Sequence, residues 1–471
     1  MNAYLLLDFG STYTKLTAVD IDNEEILATA KDITTIEDDI MVGFNKAYEK
    51  LLEQLEGKDV NFVKKLACSS AAGGLKMVAI GLVPDLTAEA AKRAALGAGA
   101  RVLKVYSYEL TKDEIEEIKN ADLDIILLAG GTNGGNKQCI LHNAKMLVEG
   151  NVNLPVVVAG NKSANDEIRE LFKEAGFYFS ITENVMPQLN ALNVEPAREE
   201  IRKVFMEKIT DAKGLSNAES FVNGILMPTP AAVLKAARVL SEGSDEEEGI
   251  GDLVIIDIGG ATTDVHSIAM GEPTKPGVNM KGLEEPYAKR TVEGDLGMRY
   301  SAVSLWEAAG SRKLRTYLKD ENRSINLEEN CRYRNENIKM VPGTEEDIKF
   351  DEAMAKVATE LSMERHCGTI ESIYTPMGAV YNQVGKDLME IKYMIGTGGV
   401  LVHSKNPGDI LSAGNFSKEN PVSLRPQKPK YLLDKTYILS AMGLLAQDHP
   451  DKAVRIMKKY LVEVCNHQEV N

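Results

Sequence analysis

Two stretches of the chain combine an acid, glycines and hydroxyl groups in a way that suits phosphate chemistry. The first is LLLDFGSTYTK at residues 5–15, and the second is LVIIDIGGATTD at residues 253–264. In each, an apolar run ends at an acid, Asp8 or Asp257, and the chain then passes through glycine. Glycine lets a backbone approach a ligand closely, so that N–H groups can converge on phosphate oxygens. The residues predicted to cradle phosphates are Gly10, Ser11, Thr12, Gly259, Gly260, Ala261, Thr262 and Thr263.

Asp8 and Asp257 are the predicted metal ligands. Two converging carboxylates suit a Mg²⁺ ion that keeps its water shell while it bridges phosphates, and this is one reason to end a buried strand with an acid. The alternative is that each stretch is an ordinary hairpin turn, because an acid followed by glycine is common between paired strands.

A third stretch, YMIGTGGVLVH at residues 393–403, favours the phosphate interpretation. The pattern predicts a strand that leads into a glycine-rich turn, which would suit a backbone packed against a nucleotide base and ribose. The residues of this turn are Gly396, Thr397, Gly398 and Gly399. One G-x-G-G pattern is weak evidence, but three such motifs in order across most of the chain together predict nucleotide binding.

The elements around the motifs predict an α/β fold. Strand patterns occur near residues 4–9, 14–20 and 25–31, with a helical pattern near 41–56. From residue 124 to 185, short apolar strands alternate with helical patterns, which indicates a parallel sheet.

The chain is predicted to divide into three parts. An acidic segment at residues 241–249, SEGSDEEEG, is typical of a solvated boundary. We expect a first lobe at 1–120, a continuation of that lobe or an inserted α/β subdomain at 121–250, and a second lobe at 251–471. The length of 471 residues also favours two or three domains.

Composition excludes several classes of protein. The net charge of -16 and the lack of a long Lys/Arg run argue against nucleic acid or an anionic membrane as the main partner. No apolar stretch approaches the roughly 18 residues of a membrane-spanning helix, and the N-terminus lacks a signal-peptide pattern. The five cysteines are far apart, as expected of reduced thiols. We therefore expect a cytoplasmic protein.

The three motifs together resemble those of the actin, Hsp70 and sugar-kinase superfamily. The sequences DFGSTYTK, DIGGATTD and GTGG are similar to its phosphate-1, phosphate-2 and adenosine motifs. The resemblance implies a two-lobed fold of duplicated ribonuclease H-like lobes, with ATP and Mg²⁺ between them. It implies that Asp8 and Asp257 hold the hydrated metal and that Gly396–Gly399 contact adenosine. Lys15 matches a position that some members keep near the phosphates, and it could equally be a solvent-facing strand residue.

Within this superfamily the chain resembles the MutL-like accessory proteins of adenosylcobalamin-dependent glutamate mutase and related aminomutases. The stretches that carry this resemblance are LLDFGSTYTK, residues 67–100, DIILLAGGTNGGN, VIIDIGGATTDVHS and TVEGDLGMRYS. The resemblance implies a slow, Mg²⁺-dependent, chaperone-like ATPase. It would bind the mutase and use nucleotide-driven lobe movement to exchange damaged cobalamin for fresh cofactor, with cobalamin belonging to the partner.

Several residues keep two interpretations. Gly130, Gly131, Thr132 and Asn133 could line the cleft of the first lobe or bind an anion in an inserted Rossmann-like subdomain, and they could equally form a plain strand-to-helix turn. Asp295 and Arg299 could line the cleft or belong to a loop shaped by glycines. The candidates for orienting the attacking water are Asp8, Asp257 and Asp264, and spacing does not rank them.

Three other functions stay open on this sequence. A small-molecule kinase of the same superfamily would use the same motifs with an acidic base facing an acceptor hydroxyl. An actin-like scaffold would assemble into filaments with ATP. A radical-dehydratase activator would need cysteines placed for an iron–sulfur cluster, and no suitable pair is evident in the sequence. The partner mutase, the preferred base and the oligomeric state are not predicted.

Overall fold

The chain folds into two compact units built from α-helices and β-sheets. The computed structural model describes residues 1–10, 12–35, 40–70, 75–205, 221–222, 225–320, 324–376 and 378–465. The first unit comprises Met1–Ala236, Gly282–Glu284 and Leu439–Ile456, and the second comprises Ala237–Lys281, Glu285–Ile438 and Met457–Asn471.

Strands and helices alternate along much of the chain. The strands are β1 (Asn2–Phe9), β2 (Tyr13–Asp20), β3 (Glu25–Ile33), β4 (Asn61–Ser69), β5 (Lys76–Gly81), β6 (Arg101–Ser107), β7 (Ile125–Leu128), β8 (Val156–Val158), β9 (Phe179–Ile181), β10 (Ile225–Pro228), β11 (Leu253–Ile258), β12 (Thr263–Ile268), β13 (Val278–Lys281), β14 (Ala288–Glu293), β15 (Thr369–Thr375), β16 (Gly378–Val384), β17 (Tyr393–Thr397), β18 (Lys430–Leu433) and β19 (Val462–Val464). The helices are α1 (Ile40–Gln54), α2 (Glu89–Gly97), α3 (Lys112–Asn120), α4 (Gln138–Glu149), α5 (Asn165–Glu174), α6 (Glu195–Val204), α7 (Thr229–Glu242), α8 (Ala302–Leu318), α9 (Leu327–Glu336), α10 (Glu345–His366), α11 (Gly399–His403), α12 (Pro407–Leu411), α13 (Leu439–Leu445) and α14 (Pro450–Tyr460).

The first sheet of unit 1 has the strand order β10-β4-β1-β2-β3. Strands β1, β2 and β3 run antiparallel in succession, while β4 is parallel to both β1 and β10. The apolar run of β1 places Leu5, Leu7 and Phe9 in a core with Phe44 and Leu51 of α1. Because this core covers β1, the acid that ends its apolar run lies at the edge of a rigid layer.

The second sheet of unit 1 is entirely parallel, with the order β6-β5-β7-β8-β9. Its central strands are continuous apolar runs because both faces are buried. Met77 and Ala79 of β5 lie in one core, and Val78 and Ile80 lie in another. The strands of this sheet are inserted between β4 and β10 in the chain, which is the arrangement expected of an inserted α/β subdomain. The predicted boundary near residue 120 falls between β6 and β7, within this sheet, and the three-part division stays a prediction.

The main sheet of unit 2 has the order β14-β12-β11-β17-β18-β19. Its first five strands repeat the first sheet of unit 1: β11 is antiparallel to β12, β12 is antiparallel to β14, and β17 is parallel to β11 and β18. Val254 and Ile256 of β11 pack in one core with Met354 and Ala358 of the long helix α10. The duplicated ribonuclease H-like architecture predicted from the two motifs is therefore confirmed.

A smaller sheet of three strands, β13-β16-β15, completes unit 2. Its strands carry several exposed apolar side chains, including Tyr374, which is 86% exposed. Among the described residues, no helix is long and apolar enough to cross a membrane.

Candidate functional site

Asp8 occupies the penultimate position of β1 and is almost completely buried. Thr229 donates a hydrogen bond to Asp8 Oδ1 over 2.6 Å, and Ser440 donates one to Asp8 Oδ2 over 3.1 Å. The Cys68 sulfur lies 3.7 Å from Asp8 Oδ1. Burial, reinforced by the Asp8 charge, raises the pKa of the Cys68 thiol well above its usual range, so this cysteine is an inert neighbour.

The turn after Asp8 is closed by Gly10. The Gly10 amide donates to the Tyr13 carbonyl over 3.1 Å, and a Cβ atom on Gly10 would lie 2.6 Å from the same oxygen. Thr34 of the neighbouring segment donates to the Gly10 carbonyl over 2.8 Å, while Thr12 is exposed. Ser11 lies outside the described residues. The tight turn requires glycine at position 10, and its contact with phosphate stays a prediction.

Lys15 lies directly across from Asp8 in the β1–β2 pairing. Its Nζ atom is 3.9 Å from Asp8 Oδ2, and about a third of its side chain is exposed. Residues opposite each other in paired strands have side chains on the same face. Lys15 therefore presents a positive charge beside the predicted phosphate turn, and its role in phosphate binding stays a prediction.

Asp257 occupies the same penultimate position in β11 that Asp8 occupies in β1. It is half-buried, and it lies opposite Asp264 of β12 and opposite Thr397 of β17. The three side chains thus form a row across three strands at the end of β11. The predicted phosphate-2 acid and the first residues of the predicted adenosine turn are neighbours within unit 2.

Asp264 is held by a buried arginine. Arg290 of β14 donates to Asp264 Oδ1 from Nη2 over 2.6 Å and from Nε over 2.9 Å, and Thr262 donates to Oδ2 over 3.1 Å. A guanidinium that holds a carboxylate through two hydrogen bonds offsets its negative charge. This arrangement lets two acids lie side by side, and it favours a positioning role for Asp264 over that of a base.

The turn after Asp257 exposes a run of backbone donors. Gly259 closes the turn by donating to the Thr262 carbonyl over 2.9 Å, and Thr263 donates from its hydroxyl to the Leu296 carbonyl over 2.7 Å. Within the described ranges, the amides of Gly260, Ala261 and Thr262 have no protein acceptor. Successive free amides in a turn form a concave anion site, so the geometry fits phosphate oxygens.

Residues 294–301 form hydrogen bonds with the backbone of this turn. Met298 and Arg299 donate their amides to the carbonyls of Gly259 and Gly260 over 3.0 and 2.8 Å. Ser301 donates from its hydroxyl to the Ala261 carbonyl over 2.8 Å. A Cβ atom on Gly297 would lie 2.3 Å from the Ala261 carbonyl carbon, so only glycine allows this approach. The segment with the sequence EGDLGMR therefore packs against the phosphate-2 turn and holds its backbone in place.

The two charged residues singled out in that motif are both paired within unit 2. Arg299 forms an ion pair with buried Asp351 at 2.7 Å. Asp295 accepts from Arg365 at 2.7 and 2.9 Å, and these hydrogen bonds hold the pKa of Asp295 below its usual value. The side chains of Arg299 and Asp295 therefore have structural roles as members of ion pairs.

Gly398 is the conformationally demanding residue of the predicted adenosine turn. Its backbone has φ 104° and ψ 157°, a region that residues other than glycine essentially never occupy. A Cβ atom there would lie 2.3 Å from the Ile258 carbonyl oxygen. Gly396 and Thr397 are buried, while Gly399 is exposed at the start of α11. The turn therefore packs against the end of β11, next to Asp257.

Sequence reasoning missed Asp434. This fully buried acid follows β18, accepts from the Thr397 hydroxyl over 3.3 Å and accepts from the Ile438 amide over 2.9 Å. It extends the row of polar side chains by one strand. The signal was present, because YLLD at residues 431–434 repeats the pattern of an apolar run ended by an acid.

Gly130, Gly131, Thr132 and Asn133 lie in the inserted parallel sheet, separate from the sheet that carries Asp8. They follow β7, which is the third strand of that sheet in chain order. Asn184 donates to the Gly131 carbonyl over 2.9 Å and to Asn133 Oδ1 over 3.1 Å. Asn161 fixes the same loop by donating to the Gly135 carbonyl over 3.0 Å. The loop is thus ordered by asparagine side chains, and its predicted anion contact stays a prediction.

The donor set suits a magnesium nucleotide better than a protein-caged metal. Across the described residues, no group of three or more His, Cys, Asp or Glu side chains is placed to hold a metal ion. Mg²⁺ is usually bound through one or two carboxylates, water and substrate phosphates. Within unit 2, Asp257 and the free amides after it are donors of that kind, and within unit 1 Asp8 supplies a carboxylate, so the residues of each unit suit such a ligand.

Comparison with known proteins identifies close relatives. A sequence model of the family described as MutL protein matches residues 4–461. The protein named Protein MutL from Clostridium tetanomorphum is 76% identical to this chain over 464 residues, which cover 98% of this chain and 100% of that protein.

Solved structures resemble the chain only distantly. Gluconate kinase from Lactobacillus acidophilus gives a TM-score of 0.35 at 10% identity, covering 98% of this chain and 93% of the kinase. Plasmodium falciparum glycerol kinase, solved with ADP, gives 0.36 at 12% identity, covering 99% of this chain and 94% of that chain. Scores this low assign neither an activity nor a substrate to this chain.

Proposed function

The chain belongs to the MutL protein family, and we propose that it is an ATP-dependent accessory factor of an adenosylcobalamin-dependent glutamate mutase or a related aminomutase. In this proposal it acts in the cytoplasm, binds ATP with Mg²⁺ and hydrolyses it slowly. The nucleotide state sets its affinity for the mutase, and binding opens the mutase so that damaged cobalamin exchanges for intact cofactor.

The observation that carries the proposal is the repetition of one acid in two copies of one sheet. Asp8 and Asp257 hold the same position in strands with the same neighbours and the same directions of pairing. Each is followed by a glycine whose amide closes a tight turn. An ordinary hairpin would account for one such turn. It would not account for two turns at equivalent positions, each of which follows a buried strand that ends in a carboxylate.

Each group in the proposed site has a task that its position allows. Asp8 and Asp257 would orient the water ligands of Mg²⁺, which in turn would neutralise the charge of the phosphates. The amides of Gly260, Ala261 and Thr262 would donate to phosphate oxygens, with Lys15 adding a positive charge. The turn at Gly396–Gly399 would contact the adenosine.

The same geometry supports the proposal of slow hydrolysis. Phosphoryl transfer depends mainly on positioning and charge stabilisation, so a strong base is not required. Asp264 is held by Arg290, and both oxygens of Asp8 accept hydroxyl hydrogen bonds. We propose that Asp257, assisted by these two acids, orients water, and that turnover is slow enough for the protein to act as a switch.

A switch of this kind works only through differential affinity. Nucleotide can shift the protein between two states by no more than the difference in its binding free energy for them. The same free energy couples nucleotide to the mutase, so ATP should change mutase affinity and the mutase should change ATP affinity by equal factors.

Melting experiments test nucleotide binding directly. We expect ATP with Mg²⁺ to raise the melting temperature of the purified protein, because a ligand that binds only the folded state stabilises it by about 2.7 kcal/mol at a hundredfold excess over Kd. The measurement is a thermal denaturation series with ATP, ADP and AMP, each with Mg²⁺ and with EDTA. An unchanged melting temperature at millimolar Mg·ATP, or an equal rise in EDTA, would contradict the proposed site.

A further inference from the structure

Both oxygens of Asp8 accept hydrogen bonds from hydroxyl groups, one on half-buried Thr229 and one on buried Ser440. Thr229 Oγ1 is 2.6 Å from Oδ1, and Ser440 Oγ is 3.1 Å from Oδ2. Asp8 itself is 5% exposed, and Ser440 is 6% exposed. Lys15 lies farther from this carboxylate, with its Nζ atom 3.9 Å from Asp8 Oδ2. The two hydroxyls therefore supply the short contacts that fix the orientation of the carboxylate.

The two hydroxyls come from two different helices, far apart in sequence. Thr229 begins α7, and Ser440 is the second residue of α13. The long N-terminal part of unit 1 ends within α7, at Ala236, and the last segment of unit 1 begins at Leu439, the first residue of α13. Asp8 thus links the helix at the end of the N-terminal part to the helix that begins the last segment.

These helices also touch each other at the backbone. A Cβ atom on Gly443 of α13 would lie 1.9 Å from the Ala232 carbonyl oxygen of α7. Only glycine at position 443 allows so close an approach. The two helix backbones are in direct contact at this point, with no side chain between them. A small displacement of one helix therefore displaces the other, because packed protein interiors are nearly incompressible.

Hydroxyl donors suit this carboxylate for a physical reason. A buried carboxylate loses its hydration and must recover hydrogen bonds from the protein. Hydrogen bonds to a charged group are stronger than those between neutral groups. Two such bonds from different directions hold the Asp8 side chain in one rotamer. A fixed carboxylate can orient the water ligands of a hydrated Mg²⁺ ion, whereas a mobile one cannot.

We propose that Thr229 and Ser440 are positioning residues of the magnesium nucleotide site, and that through them occupancy of the site is sensed by α7 and α13. This inference rests on the proposed function, since it assumes that Asp8 faces a nucleotide-bound metal. Removing either hydroxyl should loosen Asp8 and weaken binding only where Mg²⁺ is required. It should also uncouple the two helices from the nucleotide.

The test uses variants of the full chain. Thr229→Val replaces the hydroxyl with a methyl group of similar size, and Thr229→Ser keeps the hydroxyl. Ser440→Ala removes the second donor and carries the same test if Thr229→Val does not fold, because alanine is smaller and favours helix. The matched control is Ser241→Ala, which removes a buried serine hydroxyl of α7 that lies 3.4 Å from the Tyr287 hydroxyl.

Two readouts separate positioning from a general loss of stability. Equilibrium binding should show the Kd for Mg·ATP rising about tenfold in Thr229→Val and Ser440→Ala, with Thr229→Ser and Ser241→Ala within about twofold of wild type. ATP affinity in EDTA should be the same in all variants. Hydrogen exchange should show α7 and α13 protected by saturating Mg·ATP in wild type and not in Thr229→Val.

The outcomes separate this inference from the proposal beneath it. Unchanged Mg·ATP affinity together with unchanged helix protection in both hydroxyl-free variants would overturn the inference and leave nucleotide binding in place. Equal weakening in Mg²⁺ and in EDTA would also overturn it, since it would show a structural effect. A wild-type protein that does not bind Mg·ATP would overturn the proposed function and this inference with it.

Discussion

Replacing Asp257 with asparagine should reduce Mg²⁺-dependent ATP turnover by about a hundredfold or more, equivalent to ~2.7 kcal/mol of transition-state stabilisation. Asparagine keeps the shape of the side chain but removes the charge that would hold the hydrated metal. Asp257 is half-buried at the end of β11, beside the free amides of the phosphate-2 turn. The fold should survive, because removing one of two facing acids relieves the repulsion with Asp264.

Asp252 provides the matched control for this variant. It is an exposed acid just before the same strand, and Asp252→Asn should leave turnover unchanged. Steady-state phosphate release, measured over a range of Mg²⁺ concentrations, compares the three proteins. Wild-type turnover in Asp257→Asn would remove Asp257 from the metal site.

The second large effect is expected on stability and nucleotide binding together. Gly398→Ala should destabilise unit 2 by about 3 kcal/mol or more, since the backbone conformation at 398 is essentially restricted to glycine. The added Cβ atom would lie 2.3 Å from the Ile258 carbonyl oxygen, which is backbone of β11 and cannot move without shifting Asp257. We expect the surviving folded protein to bind ATP more weakly.

Gly399→Ala is the neighbouring control for the glycine variant. A Cβ atom on Gly399 would meet only the Tyr437 hydroxyl, at 3.9 Å, and the residue begins helix α11. Urea unfolding followed by circular dichroism should show near-wild-type stability for Gly399→Ala and a clear loss for Gly398→Ala. Equal stability of the two variants would show that the turn differs from the one described.

The sequence predicted the parts of the fold that local patterns encode. Asp8 and Asp257 were found because each ends an apolar run and is followed by glycine, a signal contained within a few residues. The same signal marks Asp434, which was missed because no glycine follows it. The duplicated architecture, implied by the resemblance that these motifs carry, and the family resemblance, which also depends on residues 67–100, 124–136 and 291–301, are confirmed.

Contacts between distant segments could not be predicted from local patterns. Thr229 lies 221 residues from Asp8, and Ser440 lies 432 residues from it. Arg290 meets Asp264 only because β14 pairs with β12 in one particular register. A register of this kind is set by the whole sheet and its core rather than by the residues that meet.

The position of the glycine-rich loop at 130–133 illustrates a second limit. A strand followed by glycines occurs both in the ribonuclease H-like sheets and in the inserted parallel sheet. Only the pairing of β7 with β5 and β8 assigns the loop to the inserted sheet. Its asparagine contacts also arise from strands that the local pattern does not connect.

The central claim is that ATP drives cofactor exchange on a mutase. The most direct measurement follows cobalamin released from a cobalamin-inactivated glutamate mutase, mixed with the purified protein, while phosphate release is recorded in parallel. We expect cobalamin release that requires ATP and Mg²⁺ and is lost in Asp257→Asn. ATP turnover that is indifferent to the mutase, with no cobalamin released, would contradict it and direct the search to small-molecule phosphate acceptors.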